Sequence, residues 1–173
     1  MKKMTKAIAA AIVIAGFATN VNAQSTDFAS ATATLVAPIS ITKQVDMNFG
    51  QLAASGTAGT VVLDYASAVT RTGGVKLLSS TAVRTAEFLV QGEGTQGFSI
   101  TYPASVILTG SVSGTLTVDG ITCDAANASV LIAGAKTLKV KATLQVPANA
   151  VAGVYTNNTG VVATGLYVTV NYN

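Results

Sequence analysis

The sequence predicts an all-β domain, and three observations support this fold class. Apolar and polar residues alternate along many short segments, which is the period of a half-buried strand. Glycine-rich turns separate these segments at intervals of about ten residues, a spacing typical of a β-sandwich. After residue 23, no long segment carries apolar residues at the period of a helix. Together with a composition rich in Thr, Val, Ala, Ser and Gly, these patterns predict a secreted-type β-sandwich.

A secretory signal peptide is predicted at the start of the chain. Lys2, Lys3 and Lys6 form a positive start, residues 7–17 form an apolar core, and Ala23 supplies the small residue before cleavage. The apolar core is too short to span a bilayer, so we expect export without membrane insertion of the mature chain. Cleavage removes these three lysines from the formal charge of +3, which leaves seven basic and seven acidic residues. This balance gives no basis for a nucleic-acid partner.

An alternating segment of 14 residues, 28–41, follows the signal peptide. Strands in small domains usually run about five or six residues, so this segment is long enough for two of them. Pro38 cannot donate a ladder hydrogen bond and marks the boundary. We predict that residues 28–36 pair outside their own sheet and that residues 39–43 form the first strand of the body. The alternative is one long strand that switches between two sheets of its own domain.

Short alternating runs continue through the body of the chain. Residues 136–146 give the clearest pattern, with Lys139 and Lys141 on the face that points to water. Residues 92–97 match the glycine spacing of a dinucleotide-binding loop, but a strand follows them where that loop requires a helix. We therefore interpret residues 92–97 as a hairpin loop. The apolar face predicted for residues 136–146 consists of Leu138, Val140, Ala142, Leu144 and Val146.

The last nine residues also alternate and predict a terminal strand. Leu166, Val168, Val170 and Tyr172 fall on one face of it. Because the sequence stops within this strand, its outer edge is either covered by an earlier segment or open to another chain. An open edge would accept a strand donated by another chain. An inner position in a closed sandwich is the alternative.

The sequence offers no constellation of catalytic residues. It contains no histidine, which excludes Ser-His-Asp and Cys-His sites as well as imidazole metal ligands. Asp119 and Asp124 lie close in sequence but lack the pattern of a calcium loop. Cys123 is the only cysteine, and a buried free thiol is favoured over a bridge between copies. We expect no enzymatic activity, no cofactor and no metal.

Four landmarks occur in a recognisable order along the mature chain. They are the alternating segment 31–43, the run 47–50 with its Asn-Phe-Gly motif, the run 146–149 with the Gly-Val-Tyr turn in 152–156, and the terminal run 168–172. In this order they resemble an uncharacterised bacterial secreted β-domain family. That family is similar to spore coat protein U-like subunits and to archaic chaperone-usher pilins.

The resemblance implies an incomplete immunoglobulin-like sandwich that lacks its final strand. It divides the chain into a signal peptide at 1–23, an N-terminal extension at 24–36 and the sandwich domain at 37–173. In such pilins, a periplasmic chaperone and then the extension of the next subunit fill the groove beside the terminal strand. The implied donor residues are Phe28, Ala29, Ala31, Ala33 and Leu35, and the implied acceptor edge consists of Leu166, Val168, Val170 and Tyr172.

The resemblance also predicts the role of the protein. It implies a structural subunit of a bacterial surface fibre, exported through the periplasm and assembled with copies of itself by donor-strand exchange. A periplasmic chaperone and an outer-membrane usher are the implied assembly partners. The alternative is a self-complemented, monomeric secreted or surface sandwich that acts as an adhesin or matrix component. In that alternative, residues 28–36 pair within their own domain.

Overall fold

The computed structural model describes residues 24–125, 127–157 and 165–173. The predicted signal peptide, 1–23, lies outside the described residues. The described chain is all-β and contains no helix, so the predicted fold class is confirmed. It divides into two units, Met1–Thr34 and Leu35–Asn173.

In the first unit, residues 24–34 are all exposed and none of them belongs to a strand. The amide of Phe28 donates a hydrogen bond of 2.8 Å to Oδ1 of Asp27. Among the described residues the first strand begins at Ser40, so the alternative of one long strand through Pro38 is not observed. The pairing of residues 28–36 with another chain stays a prediction.

The described part of the second unit forms 13 strands. In chain order they are β1 (Ser40–Val45), β2 (Gln51–Ala53), β3 (Gly59–Leu63), β4 (Val69–Gly73), β5 (Lys76–Ser79), β6 (Ala86–Gln91), β7 (Gly97–Thr101), β8 (Val106–Gly110), β9 (Thr115–Cys123), β10 (Ala128–Val130), β11 (Ala135–Val146), β12 (Tyr155–Thr156) and β13 (Thr169–Tyr172).

The larger sheet is built around β11. Its strand order is β1-β6-β11-β9-β8-β12, and β3 pairs with β11 and β4. One edge of β11 bonds β9, while the other edge bonds first β6 and then β3. The alternation predicted for this strand is confirmed, because its five apolar side chains are all buried. Lys139 forms an ion pair of 3.2 Å with Glu87 on the opposite face.

A second sheet, β10-β7-β13, and a two-stranded ribbon, β2-β5, complete the domain. The order β1-β6-β11-β9 matches strands A, B, E and D of an immunoglobulin sandwich, and the pair β7-β13 matches strands C and F. The G strand would pair with β13, but no strand of the described residues occupies that position. The described sandwich is therefore incomplete at the edge of its last strand.

The glycine-rich loop 92–97 connects the two sheets. It leads from β6 in the larger sheet to β7 in the smaller one, so the prediction of a hairpin was wrong. The physical reason is that β1 and β11 already occupy both edges of β6. No edge of β6 is free to accept β7, and the chain has to cross to the other layer.

Candidate functional site

A groove with an apolar floor opens beside residues 165–167, which precede β13. It has a volume of about 1330 Å³. Residues of the segments 43–54, 150–157 and 165–167 contribute to its lining. Its floor is the inward face of the larger sheet. The floor residues are Phe88, Val106, Leu116, Val118, Leu144 and Val146.

The floor follows from the alternation of the strands that form it. Leu116 and Val118 on β9, and Leu144 and Val146 on β11, belong to the buried face of each strand. In a closed sandwich such side chains pack against a second sheet. Here they also line the groove, and each of them is nevertheless buried within the described domain.

The backbone of β13 is paired along one edge. Its strand partner is β7, with Thr169 opposite Thr101 and Asn171 opposite Ser99. The amide of Asn173 donates to the carbonyl of Gly97 at 3.1 Å, which identifies the hydrogen-bonded pairs of this ladder. In an antiparallel ladder, alternate residues direct their backbone groups toward opposite edges. The N–H and C=O groups of Val168, Val170 and Tyr172 therefore point to the edge that no described strand covers.

The four predicted acceptor residues occupy three different environments. The side chain of Leu166 lines the groove. Val168 and Val170 are buried in the core, so their side chains are already covered within the domain. Tyr172 is half-buried and makes hydrogen bonds away from the groove. At Val168, Val170 and Tyr172, the backbone and not the side chain is free for a donated strand.

Tyr172 fastens the chain where it enters the domain. Its hydroxyl donates to the carbonyl of Ala37 at 2.9 Å and accepts from the amide of Glu93 at 2.7 Å. Ala37 in turn donates its amide to Oε2 of Glu93 at 3.4 Å. Gly92 permits this approach, because a Cβ at that position would clash with the hydroxyl. The aromatic ring near the end of the sequence thus positions the base of the N-terminal extension.

The predicted donor residues are accessible. Phe28 is 90% exposed and Leu35 is 92% exposed. Ala29, Ala31 and Ala33 are also exposed. Leu35 belongs to the second unit, and the other four belong to the first.

Sequence reasoning missed most of the residues that line the groove. Met47 and Phe49 come from the Asn-Phe-Gly region, where the described chain has only an isolated bridge between Asn48 and Arg84. Val151 and Val154 come from the turn before β12. The alternation of residues 45–49 indicates inward-facing side chains but not the space that they border.

Other classes of site find little support in the described residues. No group of three or more acidic, cysteine or histidine residues in that part of the chain could hold a metal ion. No helix in the same residues has the length and apolarity that crossing a membrane requires. Cys123 is a buried free thiol, and desolvation raises its pKa.

Comparison with known proteins identifies a family but not an activity. The family described as a domain of unknown function (DUF4402) matches residues 39–172. The match extends from the residue before β1 to the last residue of β13 and includes every residue of the groove floor. No curated protein and no solved structure matches the chain.

Proposed function

The chain belongs to the DUF4402 family of unknown function, and we propose from its geometry that it is a structural subunit of a bacterial surface fibre assembled by donor-strand exchange. One observation carries the proposal. The edge of β13 that no described strand covers follows directly on Leu166 and Tyr167, which line a groove whose apolar floor is the core face of the larger sheet.

The uncovered edge requires a partner. Unpaired backbone N–H and C=O groups beside apolar surface are a template for another strand. An added strand would bond to the outward groups of Val168, Val170 and Tyr172 and occupy the position of strand G. The side chains on its inner face would then cover the groove floor.

The N-terminal extension supplies a suitable strand. Residues 28–36 alternate in the period of two that strand addition requires. Its two large apolar side chains, Phe28 and Leu35, are about nine-tenths exposed. Burying each would contribute roughly 1.5–3 kcal/mol, and the alanines between them would contribute about 0.8 kcal/mol per methyl group. Backbone hydrogen bonds therefore supply a large share of the binding.

The proposal includes export and assembly partners. The predicted signal peptide directs the chain to the periplasm. An exposed strand edge beside an apolar groove is prone to non-specific pairing. A periplasmic chaperone that covers the edge in transit, and an outer-membrane usher that replaces it with the next subunit, would prevent such pairing. The mature fibre would lie at the cell surface.

The proposal is tested by electrophoresis in SDS with unheated and boiled samples of the mature chain, residues 24–173. Fibres linked by donated strands dissociate slowly, so unheated samples should give a ladder that collapses to one band on boiling. A variant that lacks residues 24–34 should form no long ladder by itself. When it is mixed with the wild-type chain, it should still be incorporated at one end of a polymer. A single band in both lanes for the wild-type chain overturns the proposal and favours the self-complemented monomer.

A peptide assay separates the donor from the rest of the chain. A synthetic peptide of residues 24–36 should bind the variant that lacks residues 24–34. The matched peptide carrying Phe28→Ser and Leu35→Ser should bind at least about tenfold more weakly, because both large side chains are lost. Equal binding by the two peptides would show that the groove does not recognise these side chains.

A further inference from the structure

The domain has two ends that β11 connects. Over its 12 residues this strand spans about 36 Å. At its start, Ala135 lies opposite Gln91, beside the loops 92–97 and 130–134 and the anchor of Ala37. We name this region the exit end, because the N-terminal extension leaves the domain there. At its finish lie the turns 110–114 and 147–154, which we name the groove end.

The groove end carries an apolar platform formed by Val112, Val151 and Val154. Val112 is 72% exposed and Val154 is 71% exposed. The amide of Ser111 donates to the carbonyl of Val154 at 2.8 Å, and the amide of Val154 donates to Oγ of Ser111 at 3.1 Å. The hydroxyl of Tyr155 donates to the carbonyl of Val151 at 2.6 Å. The two turns are thus held as one surface, and neither contains a charged residue.

Four exposed apolar side chains lie at the exit end, and we call them together the exit patch: Leu35, Val36, Val130 and Ile132. Ile132 is 68% exposed. Backbone hydrogen bonds hold its turn against the loop 92–97, from the amide of Leu131 to Gln96 at 3.1 Å and from Gly134 to Gly94 at 2.7 Å. The same loop binds Ala37 through Glu93. The patch is therefore built around the point where the extension leaves.

The distribution of exposed apolar side chains is uneven. Single exposed apolar residues are ordinary on a protein surface. Among the described residues of the second unit, however, seven of the ten large ones lie at these two ends. The other three are Val62, Leu78 and Ile107.

We propose that the groove end of one copy packs against the exit end of the next copy, as a contact additional to the donated strand. The inference rests on the proposed function. Tyr172 holds Ala37 on the domain, and the donor segment ends at residue 36, so little chain separates them. A donor strand that runs antiparallel to β13, as strand G does beside strand F, places residue 36 at the start of β13 and so brings its own exit end close to the groove end of the acceptor. The contact is heterologous and repeats along a fibre.

A cysteine pair tests the contact directly in the mature chain. Val112→Cys with Ile132→Cys should form a disulfide between neighbouring copies under mild oxidation. The product is a ladder that survives boiling in SDS and collapses with reductant. The matched control is Ile107→Cys with Ile132→Cys, which has the same number of thiols but places one on the sheet face, and it should give no such ladder. Native Cys123 is buried and common to both variants.

A second variant measures how much the contact contributes to the rate of polymerisation. Val112→Asp should slow the appearance of the heat-sensitive ladder by about tenfold, because it places a charge in an apolar contact. Ile107→Asp, the control, should polymerise at the wild-type rate. Val112 does not line the groove, so binding of the peptide of residues 24–36 should not change.

The outcomes separate this inference from the proposed function. If the wild-type chain forms the heat-sensitive ladder while Val112→Asp polymerises at the wild-type rate and the cysteine pair gives no disulfide ladder, the platform contact is wrong and donor-strand exchange stands. If the wild-type chain forms no ladder at all, the proposed function is wrong and the contact falls with it.

Discussion

Two halves of the same core differ in what covers them. Leu138 and Leu144 lie on one strand, face the same way and are almost completely buried. Leu144 lines the groove and Leu138 does not, although both belong to one core cluster with Phe98 of the smaller sheet. The comparison shows that alternation identifies the inward side chains but does not reveal whether a partner strand is present above them.

The largest expected effect is on the free energy of unfolding, and substitutions at these two leucines test whether the two halves of the core differ. Leu138→Ala should lower the free energy of unfolding by about 2–5 kcal/mol, because it leaves a cavity in a closed part of the core. Leu144→Ala should cost less, about 2 kcal/mol at the lower end of that range, because Leu144 borders the groove and the chain around it can collapse more easily into the vacated space. Urea unfolding of the monomeric mature chain measures both. Equal losses would mean that the two halves are packed alike.

A smaller effect is expected where the closed half meets the extension. Tyr172→Phe removes the hydroxyl that bonds Ala37 and Glu93 and should lower the free energy of unfolding by about 1 kcal/mol. Amide hydrogen exchange at Glu93 should accelerate, since its acceptor is lost. Tyr167→Phe is the control, because its hydroxyl has no hydrogen-bond partner in the described part of the chain. Unchanged exchange at Glu93 would contradict the assigned anchor.

The smallest expected effect is on the reactivity of thiols, which compares the closed core with the groove. Burial raises the pKa of Cys123, so the fold favours the neutral thiol. The contribution of this neutral thiol to the free energy of unfolding should be complete below the pKa of a thiol in the unfolded chain, about 8.5. It should be lost as pH rises through the higher pKa of Cys123 in the folded chain. Native Cys123 should therefore react slowly with a thiol reagent at pH 8. Leu108→Cys, which places a thiol in the groove, should react faster and become protected on addition of the peptide of residues 24–36.

Equal slow reaction at both positions would contradict the open groove. Equal fast reaction would instead show that Cys123 is less buried than the structure indicates. Urea supplies the reference for both, because unfolding should make the two thiols react alike.

Much of the fold could be predicted because its patterns are local. The alternation of β11 identified five buried side chains, and the terminal alternation identified β13. The path between sheets could not be predicted in the same way. Residues 92–97 read locally as a hairpin, but pairing of β6 with β1 and β11 is long-range and excludes one.

The candidate site was predicted only in part for a similar reason. The terminal strand was identified, yet the roles of backbone and side chain at Val170 and Tyr172 depend on pairing with β7. The groove wall at Met47 and Phe49 depends on which face of the larger sheet stays uncovered. Neither fact can be predicted from the residues that neighbour those positions in the sequence.

The outer edge of β13, which no described strand covers, has a mechanical consequence in a fibre of the proposed kind. Tension enters each subunit at Ala37 and leaves through the strand that the next copy adds to β13. The pull runs along the strands, so the bonds that join the added strand to Val168, Val170 and Tyr172 bear the load together in shear and are not unzipped one at a time. The anchor of Ala37 on Tyr172 links the two points of attachment, so the force crosses the subunit near one edge and largely bypasses the core.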